Sequence, residues 1–220
     1  MKAETCIAWD VGIKNLAFCI MEINEDRKWT IIDWGIICLS DSDCESSQGV
    51  SNKTKKTTPD INKIVVSLIE NLANMEKENK FKNITTVMIE NQPTVNKIMK
   101  SISVMILTYF TTLKIKRRGI YGENDIFSVK FVSSQSKLSM EFKGFEVSKT
   151  LSNNKKLHAI KTAEYILDNR IDANYKNNGD DVKYDKILKK FKTSRKKDDL
   201  ADSFLYCIWH GYSKNYKKKK

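Results

Sequence analysis

The chain has 220 residues, 40% hydrophobic and 30% charged, which is enough for one full core and too little for two independent ones. Lys and Arg number 39 against 27 Asp and Glu, and the formal net charge of +12 favours a polyanionic partner, most simply nucleic acid. No continuous apolar run reaches the roughly 18–20 residues of a membrane span, and the start Met1-Lys2-Ala3-Glu4-Thr5-Cys6 lacks a signal peptide's apolar stretch, so the expectation is a soluble, non-secreted chain with no membrane partner.

Thr5 to Asp10 reads as a strand apolar on both faces, followed by a turn at Val11-Gly12-Ile13-Lys14-Asn15. Leu16 to Ile23 and Trp29 to Leu39 read as two more strands, and their short connections favour an antiparallel meander. Residues 40–59 are polar, end in Pro59, and read as a surface loop or insertion. From Ile61 the apolar residues Ile61, Ile64, Val65, Leu68, Ile69 and Leu72 recur at helical spacing, with Pro59-Asp60 as a start signal.

Ile84 to Glu90 is a short buried strand. Thr94 to Ile115 predicts a long helix whose broad apolar arc suits a central position or a subunit interface. Ile126 to Val132 reads as the fifth strand and Leu157 to Leu167 as a helix. Residues 170–185 read as a polar loop, and residues 186–197 hold seven basic residues and no acid. Asp198 to Trp209 reads as the last helix, and lysines close the chain. No internal repeat is visible. The expected fold class is α/β: a mixed five-stranded sheet, three antiparallel strands and then two parallel, with helices on both faces.

The five cysteines, at 6, 19, 38, 44 and 207, form no Cys-x-x-Cys pair, and the two histidines, 158 and 210, lie far apart. A disulfide framework and a zinc ribbon are therefore not expected, and the chain suits a reducing compartment.

Four acids stand out. Asp10 and Glu90 each end an apolar strand, and Asp199 and Asp202 lie at i, i+3 on one side of the last helix. A lone acid at a strand end is ordinarily a turn residue, and Asp198 or Asp199 suits a helix N-cap. Asp202 is too far inside the helix for that, and it borders the stripe Ala201, Leu205, Ile208. Carboxylates on two strand ends and one helix can converge if the first and fourth strands are neighbours. Such a group cannot stay ionised without a cation, and all-oxygen ligands select Mg²⁺ or Mn²⁺.

Asp10-Val11-Gly12-Ile13-Lys14-Asn15, Glu90-Asn91-Gln92-Pro93, Asn154-Lys155-Lys156 and Lys197-Asp198-Asp199-Leu200-Ala201-Asp202-Ser203-Phe204, in this order, resemble the motifs of RuvC-like Holliday junction resolvases, the poxvirus and fungal mitochondrial branch above all. The likeness spans residues 1–220 as one RNase H-like nuclease domain, with insertions at 40–59 and 170–190 and a basic tail at 213–220. It implies Asp10, Glu90, Asp199 and Asp202 as metal-binding carboxylates, with Asp198 outside the family spacing. It implies two Mg²⁺ (or Mn²⁺) ions roughly 3.5–4 Å apart, bridged by Asp10, and Lys156 or its neighbour Lys155 at the scissile phosphate.

The implied activity is a metal-dependent endonuclease that nicks two symmetric strands of a four-way DNA junction, as a homodimer through helix 94–115. Lys14, Lys155, Lys189, Lys190, Lys192, Arg195, Lys196 and Lys197 are the expected DNA contacts, with the run Lys114 to Arg118 a further basic candidate. Tyr184 and Phe191 are read as surface packing, with stacking on an unpaired base as the alternative. The likeness suits a cytoplasmic viral replication site, and otherwise a mitochondrion or nucleus.

Another RNase H-like nuclease, cutting an RNA–DNA hybrid or a flap, would use the same acids. A non-catalytic nucleic-acid-binding module is the other reading. A sugar kinase or ATPase of related fold is excluded, because it needs two Gly-rich phosphate loops and the chain has eight glycines and neither loop.

Overall fold

The structure, a computed structural model, describes residues 3–40, 60–121, 127–175 and 178–216. Most of the expected insertion at 40–59 and the last four lysines of the basic tail lie outside them.

Five strands form one sheet in the order β3-β2-β1-β4-β5: β1 Glu4–Asp10, β2 Asn15–Ile23, β3 Trp29–Cys38, β4 Ile84–Glu90 and β5 Ser128–Val132. β1 pairs antiparallel with β2 and β2 with β3, while β1–β4 and β4–β5 are parallel. This is the expected mixed sheet.

The central strands are apolar on both faces because both faces are covered. Ile7 and Trp9 of β1, Phe18 and Ile20 of β2, and Val87 and Ile89 of β4 face α1 (Ile61–Lys77) and α2 (Lys97–Tyr121). Cys6, Ala8, Cys19, Met21 and Met88 face the other layer. That layer contains α4 (Lys155–Asp168), α5 (Asn178–Thr193) and α6 (Lys197–Tyr216), with the short α3 (Lys149–Asn153) leading into α4. In α6, Leu200, Ala201, Phe204, Leu205, Cys207 and Ile208 are all buried, so it is the central helix of that face.

Helix starts follow local capping. Asp60 accepts hydrogen bonds from the Asn62 and Lys63 amides at the head of α1. Asn154 accepts from the Leu157 amide at the head of α4. The helix expected from residue 94 begins at Lys97 instead, because Asn96 turns back onto the Pro93 carbonyl and its side chain takes the Met99 amide. α2 continues to Tyr121, past the expected residue 115. It is long and apolar enough, by length and composition alone, to cross a membrane. Here it lays Ile102, Ile106 and Phe110 on the sheet.

The loop expected at 170–185 needs correction. α5 begins at Asn178, and Tyr184, Ile187, Leu188 and Phe191 form a helical stripe against the sheet. Tyr184 and Phe191 are core residues, and Phe191 stacks on Trp34 of β3 with ring centroids 5.2 Å apart. Residues 178–190 are therefore helical, and they cover one edge of the sheet.

Cys6, Cys19 and Cys207 are buried free thiols, as small core residues should be. Cys38, at the end of β3, is in a disulfide, which the reading of the cysteines did not anticipate.

Candidate active site

The register of β1 and β4 creates the site. Trp9 pairs with Ile89 in a parallel ladder, so Asp10 and Glu90, one residue further on, end their strands side by side. A ligand crevice at the carboxyl ends of neighbouring parallel strands is the usual location in open α/β sheets. The two carboxyl groups are close enough for each to act on the ionisation of the other. Burial and the Glu90 charge push the Asp10 carboxyl well above the usual carboxylate range. Burial works against ionisation of Glu90 as well. The hydrogen bond from Asp10, the Lys137 charge, the Tyr206 hydroxyl beside it and Gln92 outweigh it and hold Glu90 below its ordinary value. Gln92 Nε2 donates to Glu90 Oε2 at 3.0 Å.

α6 brings Asp202 to the same place. Its Oδ2 is 2.5 Å from Lys137 Nζ, and Lys137 Nζ is 3.5 Å from Glu90 Oε1. Lys137 stands on a single 3₁₀ turn, Ser136–Leu138, just after β5, and its side chain is only 9% exposed. Burial pushes Asp202 up to about 6 in spite of Lys137. Its Oδ1 is buried and has no hydrogen-bond partner. Burial disfavours the Lys137 charge, but Asp202, Glu90 and Asp10 together more than reverse this, so the ammonium persists. Tyr206, one turn beyond Asp202, lies under it with its ring centroid 5.0 Å from Nζ.

Asp199, one turn before Asp202, is half-buried at the rim. Burial and the Asp198 charge raise its pKa, and Lys196, Lys156 and Lys137 oppose them. Asp198 pairs with Lys156 at 2.7 Å. Burial opposes its ionisation, and that lysine still holds it below the usual range. Asp198, Asp199 and Asp202 all bear on Lys156, so this lysine faces the acidic end of α6. Lys155 beside it is exposed.

Lys14 is exposed in the turn after Asp10, with its carbonyl tied to the Leu39 amide at 2.7 Å. Lys189, Arg195 and Lys196 are exposed on the end of α5 and the link to α6. Three of the expected DNA contacts are engaged within the chain: Lys190 donates to the Trp34 carbonyl, Lys192 pairs with Asp168 at 2.7 Å, and Lys197 approaches Glu164 at 4.0 Å. The run Lys114 to Arg118 lies at the opposite end of the sheet, since Arg117 donates to the Phe81 carbonyl ahead of β4.

Three residues of the site escaped the sequence reading as participants. Gln92 stands inside the quoted Glu90–Pro93 motif, where it was given no role. Tyr206 is four residues after Asp202, a spacing that shares a helix face. Lys137 carries no periodic signal.

The site fits a hard divalent cation in its donor chemistry. It offers carboxylates from three elements, Glu90 buried and Asp10 and Asp202 partly so, two with raised pKa values, and one oxygen without a partner. Among the described residues, no group of three or more acidic, His or Cys side chains is gathered as a ready metal cage. Between Glu90 and Asp202 the charge is balanced by the Lys137 ammonium.

Residues 7–103 match the family model described as mitochondrial resolvase Ydc2 / RNA splicing MRS1. No curated protein matches the chain significantly. The yeast mitochondrial Holliday junction resolvase Ydc2 aligns over 98% of this chain and 84% of its own, at 19% identity and a TM-score of 0.60. RuvC of T. thermophilus, solved in complex with a Holliday junction substrate, aligns over 96% of this chain and 95% of its own, at 12% identity and a TM-score of 0.50.

The fold is RNase H-like. The resemblance to RuvC-like resolvases, first carried by four short motifs, holds in the family match and across the whole RNase H-like architecture.

Proposed function

We propose that the chain is a metal-dependent endonuclease that resolves four-way DNA junctions. The observation that carries this reading is the meeting of Asp10, Glu90 and Asp202 at the strand ends of an RNase H-like sheet, beside an exposed basic rim. One of the two similar solved structures is a Holliday junction resolvase and the other is in complex with a Holliday junction substrate, which supports the substrate class. Of the compartments expected from the sequence, the mitochondrion is the one that the matched family's description names.

In this reading Asp10, Glu90 and Asp202, with Asp199 at the rim, hold Mg²⁺ or Mn²⁺. The bound cation supplies Lewis-acid stabilisation of the charge that develops at the phosphodiester. Lys156, directed at the acidic end of α6, leaves Asp198 to meet the scissile phosphate, with Lys155 as its alternate. Lys14, Lys189, Arg195 and Lys196 contact flanking phosphates. These position the DNA without reading its sequence. Lys190, Lys192 and Lys197 join them where their internal partners yield.

A junction offers two equivalent strands, and a two-fold dimer matches that symmetry. α2 supplies the interface. Val104 is exposed there, and Met105, Tyr109 and Thr112 line a groove of about 420 Å³ together with Ile69 of α1.

The test is cleavage of a labelled four-way junction, a flap, an RNA–DNA hybrid and a linear duplex, with and without Mg²⁺, with the nicks mapped. Paired symmetric nicks in the junction, dependent on the metal, are expected. Equal cutting of linear duplex counts against the reading. The matched family's description also includes RNA splicing MRS1, which keeps a binding-only reading in view. Asp10→Asn separates the two: cleavage should be lost with junction binding retained, and unaltered cleavage would refute the enzyme reading.

A further inference from the structure

Lys137 presents a physical problem that its surroundings solve. A lysine ammonium with a side chain 9% exposed is expensive to hold away from water unless it is fully compensated. It is compensated here by Asp202 Oδ2 at 2.5 Å, by Glu90 Oε1 at 3.5 Å and by the face of Tyr206. Asp10 contributes through its contact with Glu90. No other cationic side chain contacts Glu90 or Asp202 among the described residues. The ammonium is thus the cation that lets three carboxyl groups, Glu90 buried and Asp10 and Asp202 partly so, face one another.

Those same oxygens are the ones a divalent ion needs. A divalent ion held by Glu90 and Asp202 would be repelled by the ammonium that already pairs with both. Lys137 is on a one-turn 3₁₀ segment, not a long helix, and its four-carbon stem can swing without moving the sheet.

We propose that Lys137 is a built-in counter-cation: it holds Asp10, Glu90 and Asp202 together in the metal-free protein and is displaced when the divalent ion enters, so that metal binding is a cation exchange. It is a positioning residue for the site, acting through the carboxylates. The inference rests on the metal-dependent reading above and adds to it a competition that sets metal affinity.

The test uses the full-length protein without DNA. Mn²⁺ binding is measured by calorimetry for wild type, Lys137→Met and Lys137→Arg. Lys137→Met should bind Mn²⁺ about tenfold more tightly and melt at a lower temperature in chelator, while Lys137→Arg stays near wild type. Acylation of Lys137 in the wild type, read by peptide mass spectrometry, should rise when Mn²⁺ is added. That measurement decides the matter if Lys137→Met does not fold. Unchanged or weaker Mn²⁺ binding by Lys137→Met, or labelling indifferent to Mn²⁺, overturns the exchange and leaves the metal reading intact. A wild type that binds no Mn²⁺ overturns both.

Discussion

Phe191 of α5 stacks on Trp34 of the edge strand β3, with their planes 18° from parallel. The contact is reinforced from both sides. Trp34 Nε1 donates to the Leu200 carbonyl at 3.1 Å, and Lys190 donates to the Trp34 carbonyl. α5 therefore clamps the edge of the sheet to α6, the helix that carries Asp199 and Asp202. Phe191→Ala removes a fully buried ring and should cost about 3–4 kcal/mol in urea unfolding. A loss under ~1 kcal/mol would mean that α5 is a detachable insertion.

The sheet was legible because its central strands are nearly continuous apolar runs, and such runs have few alternatives. The strand ends were legible for the same reason: Asp10 and Glu90 break those runs where the chain leaves the core. α5 was hidden because Tyr184, Ile187, Leu188 and Phe191 sit among lysines, and dividing that stretch into a polar loop and a basic run split the stripe between two segments. Lys137 was hidden for a different reason. An isolated lysine on a short turn has no pattern, and its meaning comes only from Glu90 and Asp202, 47 and 65 positions away. Sequence spacing puts Asp199 and Asp202 on one side of α6, but only the fold shows that Asp202 meets Lys137.

Lys156 and Lys155 are adjacent yet face different surroundings. Lys156 pairs with Asp198 and feels Asp199 and Asp202, whereas Lys155 makes no ion pair with α6 among the described residues. Single-turnover cleavage should fall about 10²-fold in Lys156→Gln, with junction affinity within a few fold of wild type. Lys155→Gln should change affinity more than rate. The reverse pattern would assign the phosphate contact to Lys155.

The metal-free protein should lose stability as the pH rises. Burial holds the Asp202 carboxyl at about 6, above its ordinary value of 3.8, so the fold favours the protonated form. That contribution is fully present below about 4 and is lost as the pH passes through about 6. Asp10 acts in the same direction. Asp202→Asn removes one such titration. In chelator, its melting temperature should therefore gain on wild type between pH 4.5 and 7, by on the order of 2–3 kcal/mol in stability. Mg²⁺ should erase the advantage at pH 7 by binding only the wild-type carboxylates tightly. A difference that does not vary with pH would show that Asp202 ionises freely in the fold.

Junction affinity should depend steeply on salt, and the slope locates the contacts. Each phosphate neutralised by a lysine or arginine releases condensed counterions, so log K falls with log salt in proportion to the number of contacts. Arg195 and Lys196 are exposed on the link into α6, next to the acidic end of that helix. Neutralising each to Gln should lower the slope by about 1, without preference for junction sequence. Lys116 and Arg117 provide the contrast. Lys116 faces Glu76, and Arg117 is tied to the Phe81 carbonyl at the far end of the sheet, so the same change there should leave the slope of a short-armed junction unaltered. Equal effects at both ends would mean that the DNA runs along the whole length of α2, and the path over the α5–α6 link would have to be abandoned.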